Sequence, residues 1–239
     1  MAVIAHISDI HIGGSDASVD RARRVMRHLT SFPGRLDAII VTGDIADHAL
    51  LEEYEIARDV LACDIPLIIC PGNHDLVVEF EKVLGPANQA LRLPDVTIAL
   101  ADSSIAHHNE GYLGDAAIAW LDEVLAERPD VPALVGMHHP PVKLGIPLLD
   151  DIMLHSPSRL ADLLDRHSNV AGVLVGHAHT AVSTTFHGRP LVIAPGVLST
   201  ALTTTESVER IPVSYDLPPA YALHFFDGSL ITHFRPVIT

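Results

Sequence analysis

Ile68-Ile69-Cys70-Pro71-Gly72-Asn73-His74-Asp75 holds the clearest signal in the chain. An apolar run stops at Pro71-Gly72 and three polar residues follow at once, the pattern of a buried strand emptying into a loop. Gly72 would let the backbone bend sharply there. Asn73 offers a neutral amide oxygen, His74 a group that titrates near neutral pH, and Asp75 an anion or a helix cap. A turn with a cap accounts for Gly72 and Asp75 but leaves Asn73-His74 unexplained.

The same punctuation recurs on either side. Val3 to Ile7 reads as a strand leaving through Ser8-Asp9-Ile10-His11, and Ala38 to Val41 as one leaving through Thr42-Gly43-Asp44. Ala133 to Met137 leaves through His138-His139-Pro140-Pro141, and Val170 to Val175 through Gly176-His177-Ala178-His179. Amphipathic helices are expected between them at 19–30, 52–62, 80–84, 115–127 and 158–167. Further strands are expected at 96–100, 191–193, 221–226 and 230–234. Alternating strands and helices followed by a strand-rich end place helices outside stacked β layers, an α/β fold. No repeat or linker divides residues 1–239, so one domain is expected, with 198–239 a candidate cap or dimerisation segment.

Five strand exits therefore carry Asp9, His11, Asp44, Asn73, His138, His177 and His179. In open α/β sheets, ligands gather outside the carboxyl ends of strands. If the Asp-x-His and His-x-His pairs are extended, both members of each face one side and can aim at one ion. The donors are two carboxylates, one amide and four imidazoles. That set suits Mn, Fe, Zn or Co and disfavours a structural zinc finger or an iron–sulfur cluster. Seven donors are too many for one zinc ion but fit two ions sharing a carboxylate, each with room for water and substrate. Two ions about 3.5–4 Å apart can clamp a phosphoryl group and acidify a water between them.

These blocks resemble the calcineurin-like metallophosphoesterases, in that family's order and each after an apolar strand. The opening Ala5-His6-Ile7-Ser8-Asp9, the Gly43-Asp44-Ile45 and Glu52-Glu53-Tyr54 stretches, His138-His139 and Ser214 to Leu217 are most similar to class III cyclic nucleotide phosphodiesterases and glycerophosphodiesterases. The resemblance implies a four-layer α/β/β/α sandwich. It implies Asp9, His11 and His179 on one metal, and Asn73, His138 and His177 on the other, with Asp44 bridging. His74 would contact the phosphate beside Asn73 and protonate the leaving oxygen. The implied activity is hydrolysis of a small phosphodiester, a cyclic nucleotide or a glycerophosphodiester, by a metal-activated hydroxide. Ser/Thr phosphatases of the superfamily carry an arginine shortly after the bridging aspartate; Asp44-Ile45-Ala46-Asp47-His48 has none, which disfavours protein substrates.

Bulk properties narrow the field. A formal charge of −15 argues against a nucleic-acid polymer held by a basic face. Cys63 and Cys70 make no disulfide framework, and the first residues lack a signal-peptide pattern, so a cytoplasmic location is expected. No apolar run approaches the roughly 20 residues that span a bilayer. The apolar C-terminal strands need cover, which a homodimer would supply. Rival readings are a phosphomonoesterase or nuclease on the same metals, and a catalytically degenerate scaffold; the latter usually loses ligands, and here none is missing. Among the other histidines, His6 reads as a satisfied core residue and His139 as turned away from the metals. His107 and His108 lie near the pocket without a fixed role. Gly13-Gly14 reads as a plain turn, and the loops 142–156 and 198–219 as the walls of the pocket.

Overall fold

The computed structural model describes residues 1–238. The chain runs β1 (Ala2–Ile7), α1 (Ser18–Thr30), β2 (Ala38–Thr42), α2 (Leu51–Leu61), β3 (Leu67–Cys70), α3 (Val77–Leu84), β4 (Gln89–Arg92), β5 (Thr97–Leu100), β6 (Gly111–Tyr112) and α4 (Asp115–Glu127). It continues through β7 (Ala133–Gly136), α5 (Pro147–Asp150), β8 (Leu154–His155), α6 (Ser158–Arg166), β9 (Val170–Val175), β10 (Val182–Phe186) and β11 (Arg189–Ile193). It ends with β12 (Thr200–Ala201), β13 (Val213–Ser214), β14 (Ala220–Phe226) and β15 (Leu230–Pro236).

Two sheets face each other. One has the order β15-β14-β1-β2-β3, the other β10-β11-β9-β7-β5-β4. The central strands of both are parallel; β14, β15, β10 and β4 pair antiparallel at the flanks. Period-two alternation splits each central strand between two cores. Ile40 of β2 meets Ile4, Ile98, Leu134 and Leu174 between the sheets. Ile39 and Val41 turn outward onto Val25 and Leu29 of α1 and Tyr54 and Ala57 of α2. On the opposite side, Val135 and Val173 pack on Leu121 and Leu125 of α4 and Leu160 and Leu164 of α6. These three cores make the four α/β/β/α layers.

The helices form for ordinary reasons. In α1, Ala22, Val25, Met26 and Leu29 share a buried face while arginines occupy the other. In α2, Glu53 accepts the N–H groups of His48 and Leu50, satisfying donors that the helix start leaves free. The edge strands β4 and β10 were not legible as strands. Val182-Ser183-Thr184-Thr185-Phe186 has an exposed centre and pairs along β11, so no continuous apolar run marks it. Residues 220–236 complete the first sheet beside β1, so they are part of the fold's core rather than an appended cap. Residues 198–219 form the short β12–β13 pair and its loop. Cys63 and Cys70 are free, and no helix among the described residues is long and apolar enough to cross a membrane.

Candidate metal centre

Because the parallel strands of both sheets end on one side, their exit loops meet there. The exits of β1, β2 and β3 carry Asp9 with His11, Asp44, and Asn73; those of β7 and β9 carry His138 and His177 with His179. The backbone ties them together: the N–H of Asp9 donates to the Gly43 carbonyl at 3.1 Å, and that of Gly176 to the His138 carbonyl at 2.9 Å. The N–H of His177 crosses between sheets to Asp9 Oδ1 at 3.1 Å.

All seven candidates converge, in two groups. Asp9, His11, Asp44 and His179 present donor atoms within 4.8 Å of one another. His11 Nε2 lies 3.1 Å from His179 Nε2 and 3.4 Å from Asp44 Oδ2, and His179 Nε2 lies 3.5 Å from Asp9 Oδ1. The second group is Asn73, His138 and His177. Asn73 Oδ1 lies 3.0 Å from His138 Nε2 and 2.9 Å from His177 Nδ1. Asp44 Oδ2 stands between the groups, 3.3 Å from His138 Nε2.

The local conformation differs from the extended one expected. Asp9, His11, Asp44, His177 and His179 have φ of 56°, 47°, 50°, 68° and 51°, the left-handed region that non-glycine residues rarely enter. Such positions cost on the order of 1–3 kcal/mol each and gather at functional sites. The dipeptide spacing therefore does not aim His177 and His179 at one place: His179 joins Asp9 and His11, and His177 joins Asn73 and His138. Gly72 is needed for room rather than for its φ: a Cβ there would come within 2.3 Å of Asp44 Oδ1. Asp75 is not a helix cap. Its buried carboxylate accepts the N–H groups of Ile45, Ala46 and Gly72, stitching the β3 exit to the β2 exit. Burial and the neighbouring Asp44 push Asp75 up to about 6, against the pull of those three donors.

Partners that sequence reasoning missed orient the imidazoles. His138 Nδ1–H donates to the Thr42 carbonyl at 2.7 Å and His11 Nδ1–H to Asp47 Oδ1 at 2.8 Å. Each then turns Nε2 into the cluster, as metal-ligating histidines do when a carbonyl or carboxylate holds the other nitrogen. His179 Nδ1 pairs with Ser199 Oγ at 2.7 Å. Nothing in the spacing of Asp47 or Ser199 marks these roles, which exist only after the loops meet.

The donors fit a cation pair. Asp9 Oδ2 is buried and has no hydrogen-bonding partner among the described residues, a costly state for a carboxylate oxygen. His11, His138 and His179 turn Nε2 toward the other donors at 3.0–3.5 Å while Nδ1 is bonded elsewhere, and His177 Nε2, like Asp9 Oδ2, is buried without a hydrogen-bonding partner among the described residues. Burial opposes charge on His138, yet Asp44 and Asp9 outweigh it and push His138 up to about 9. The carboxylates thus draw positive charge into a place where burial resists it. The donor chemistry is oxygen and nitrogen only, as Mn, Fe, Zn and Co accept.

His74 sits beside the cluster and not in it. Its backbone N–H donates to Asp44 Oδ1 at 2.9 Å, its Nδ1–H donates to the Asp47 carbonyl at 3.0 Å, and its ring meets His11 edge-on at 4.6 Å. The ring is 41% exposed and borders a cavity of about 350 Å³ lined also by Asp47, His48, Asn73, His107 and Asn109. The loops 142–156 and 198–219, expected to wall this cavity, contribute none of its lining. His6 is a buried core residue bonded to Thr42 and His224, and Gly13-Gly14 is a turn whose N–H groups donate to Ser18 Oγ and the His11 carbonyl.

A fold with two facing sheets and metal-type donors at their shared exits defines a class. The calcineurin-like phosphoesterase family profile matches residues 2–181, and the chain belongs to that family of phosphoric-ester hydrolases. Among its relatives, a glycerophosphodiester phosphodiesterase, GpdQ, of Enterobacter lignolyticus is 32% identical, over 93% of this chain and 86% of its own. A cAMP/cGMP dual specificity phosphodiesterase of Mycobacterium tuberculosis is 28% identical over 80% of this chain and 66% of its own. The fold matches that of a dimetal phosphatase from Danio rerio with a TM-score of 0.72 at 14% identity, covering 99% of this chain and 96% of that one.

Proposed function

We propose that this protein hydrolyses small phosphodiesters, a glycerophosphodiester or a cyclic nucleotide, with two transition-metal ions held by the seven converging side chains. The observation that carries the reading is the shared carboxylate: Asp44 Oδ2 lies 3.4 Å from His11 Nε2 and 3.3 Å from His138 Nε2, one nitrogen from each group. Asp9, His11 and His179 would hold one ion, Asn73, His138 and His177 the other, and Asp44 both. When bound, the ions supply Lewis acidity toward the phosphoryl oxygens and a water acidified for attack.

The chain's own residues do the rest. Thr42, Asp47 and Ser199 hold three of the four imidazoles, those of His138, His11 and His179, in place before substrate arrives, so little reorganisation of these accompanies the reaction. His74 spends Nδ1–H on the Asp47 carbonyl, which leaves Nε2 to hold the transferable proton. A water that has already given one proton to solvent would form its oxygen–phosphorus bond as the bond to the alcohol oxygen breaks, and the His74 proton would pass to the departing oxygen, leaving His74 to regain a proton from solvent. The cavity lining contains no lysine or arginine. A singly charged diester suits such a wall better than a doubly charged monoester, and the support extends to small esters rather than polymers, given the net charge of −15.

The test is a comparison of bis-p-nitrophenyl phosphate with p-nitrophenyl phosphate after loading with Mn²⁺, Fe²⁺, Zn²⁺ or Co²⁺, followed by glycerophosphodiesters and cyclic nucleotides. Diester turnover that tracks metal loading and exceeds monoester turnover is expected. No diester turnover with any of the four metals overturns the reading.

A further inference from the structure

We infer that His139 is a positioning residue that clamps the substrate-facing loop 103–111 onto the metal-site histidines, and so sets how tightly the organic arm of the diester is held. The inference rests on the phosphodiesterase reading above and extends it to a residue that reading leaves without a task. His139 follows a candidate ligand directly and is fully buried. Its ring centroid lies 4.8 Å from those of both His138 and His177, and the three could be taken for one metal group.

Its nitrogens are committed elsewhere. Nδ1 accepts from the Ser103 hydroxyl at 2.8 Å, and Nε2–H donates to the Asn109 carbonyl at 3.2 Å. The His139 N–H also reaches Ser103 Oγ at 3.3 Å. With both ring nitrogens used, no lone pair remains for a cation. What His139 grips is the cavity wall: His107 and Asn109 line the cavity across from His74. Among the described residues, the bond to the Asn109 carbonyl is the one hydrogen bond joining residues 105–110 to the fold outside the loop. His107 in this tip has φ 64°, and residues 106–109 are exposed, so the tip has little else to order it. Gly111 lets the loop approach: a Cβ there would lie 2.3 Å from His139 Cγ.

A wall held in place before binding lowers the ordering cost that the substrate would otherwise meet, so losing the clamp should show in KM more than in kcat. His139→Asn keeps a group at the Nδ1 position and loses the reach to Asn109; His139→Gln restores that reach. With bis-p-nitrophenyl phosphate, His139→Asn should raise KM about tenfold, the worth of one buried hydrogen bond, with a smaller change in kcat. It should retain two metals per chain and show faster amide exchange in residues 104–110; His139→Gln should recover both KM and protection. Loss of one metal equivalent in both variants would mark His139 as a ligand and overturn the proposal. So would an unchanged KM, or unchanged exchange, in His139→Asn. Should that variant fail to fold, Gly111→Ala disturbs the same contact from the loop side and must raise KM likewise; an unchanged KM there refutes the clamp. A wild-type protein inactive on every diester would defeat the functional reading instead, while the exchange measurement still tests the clamp.

Discussion

Asp47→Ala tests how the site is built, because Asp47 serves the two neighbouring histidines through different atoms. Its carboxylate accepts His11 Nδ1–H at 2.8 Å, whereas His74 Nδ1–H donates to its backbone carbonyl. Truncation to alanine removes the first bond and leaves the second. His11 then loses the partner that fixes its tautomer and turns Nε2 toward Asp44 and His179. Loss of such a supporting group typically weakens metal binding 10–100-fold, or about 1.4–2.7 kcal/mol. The weakening should fall on the ion held by Asp9, His11 and His179. The other ion depends on His138, which the Thr42 carbonyl orients without help from Asp47. Competition with a fluorescent chelator, read as two successive dissociation constants, measures this directly. One constant should rise by that factor while the other moves by less than about threefold, and excess metal should restore most of kcat. Equal weakening of both sites, or of neither, would refute the two-group arrangement. So would a kcat that excess metal cannot restore, since it would give Asp47 a direct part in the chemistry.

Other perturbations probe the remaining parts. Asp44→Ala should abolish turnover and weaken both metal sites together, as followed by metal analysis after gel filtration. His74→Ala should lower kcat by about 10²–10⁴-fold on a diester with a poor leaving group while two metals stay bound; a normal kcat would remove His74 from the proton transfer. Gly72→Ala should displace Asp44, since the new Cβ would sit 2.4 Å from the Asp44 backbone nitrogen, and metal retention should fall with thermal stability. Stability should also decline on mild acidification through His6 and His224, which lie buried together with His6 Nδ1 3.2 Å from His224 Nε2. Burial lowers His224 to about 3 and, with His224 beside it, holds His6 well below its ordinary value. The unfolded chain binds these protons first, so their contribution is complete above about pH 6.5 and is lost as pH falls, for His224 toward its value of about 3 at roughly 1.4 kcal/mol per pH unit, with His6 acting in the same direction. Denaturant titrations at pH 7.5, 6 and 5 measure the slope, and His224→Gln should flatten it.

Much of this was written locally. The helix Asp115–Glu127 and the strand Val170–Val175 have the bounds that their apolar patterns predict. The five strand exits were visible because a continuous apolar run ended each time in a metal-type donor. What stayed hidden depends on meetings between distant segments. Asp47 and Ser199 matter only because His11 and His179 are carried to them, 36 and 20 residues away. The left-handed backbone at Asp9, His11, Asp44, His177 and His179 defies local preference, so a rule for extended chain assigned the His177–His179 pair to one place when it divides between two. The long loops 142–156 and 198–219 drew attention by length, yet shorter segments around Asp47, His74 and Asn109 wall the cavity, because those segments lie at the strand exits.

Electron paramagnetic resonance of the Mn²⁺-loaded protein, taken alongside metal analysis, addresses the two-ion assignment at its root. Two Mn²⁺ per chain with the spectrum of an exchange-coupled pair, as ions about 3.5–4 Å apart give, is the predicted result. That coupling should disappear in Asp44→Ala. A single ion per chain, or two ions with independent spectra, would contradict it.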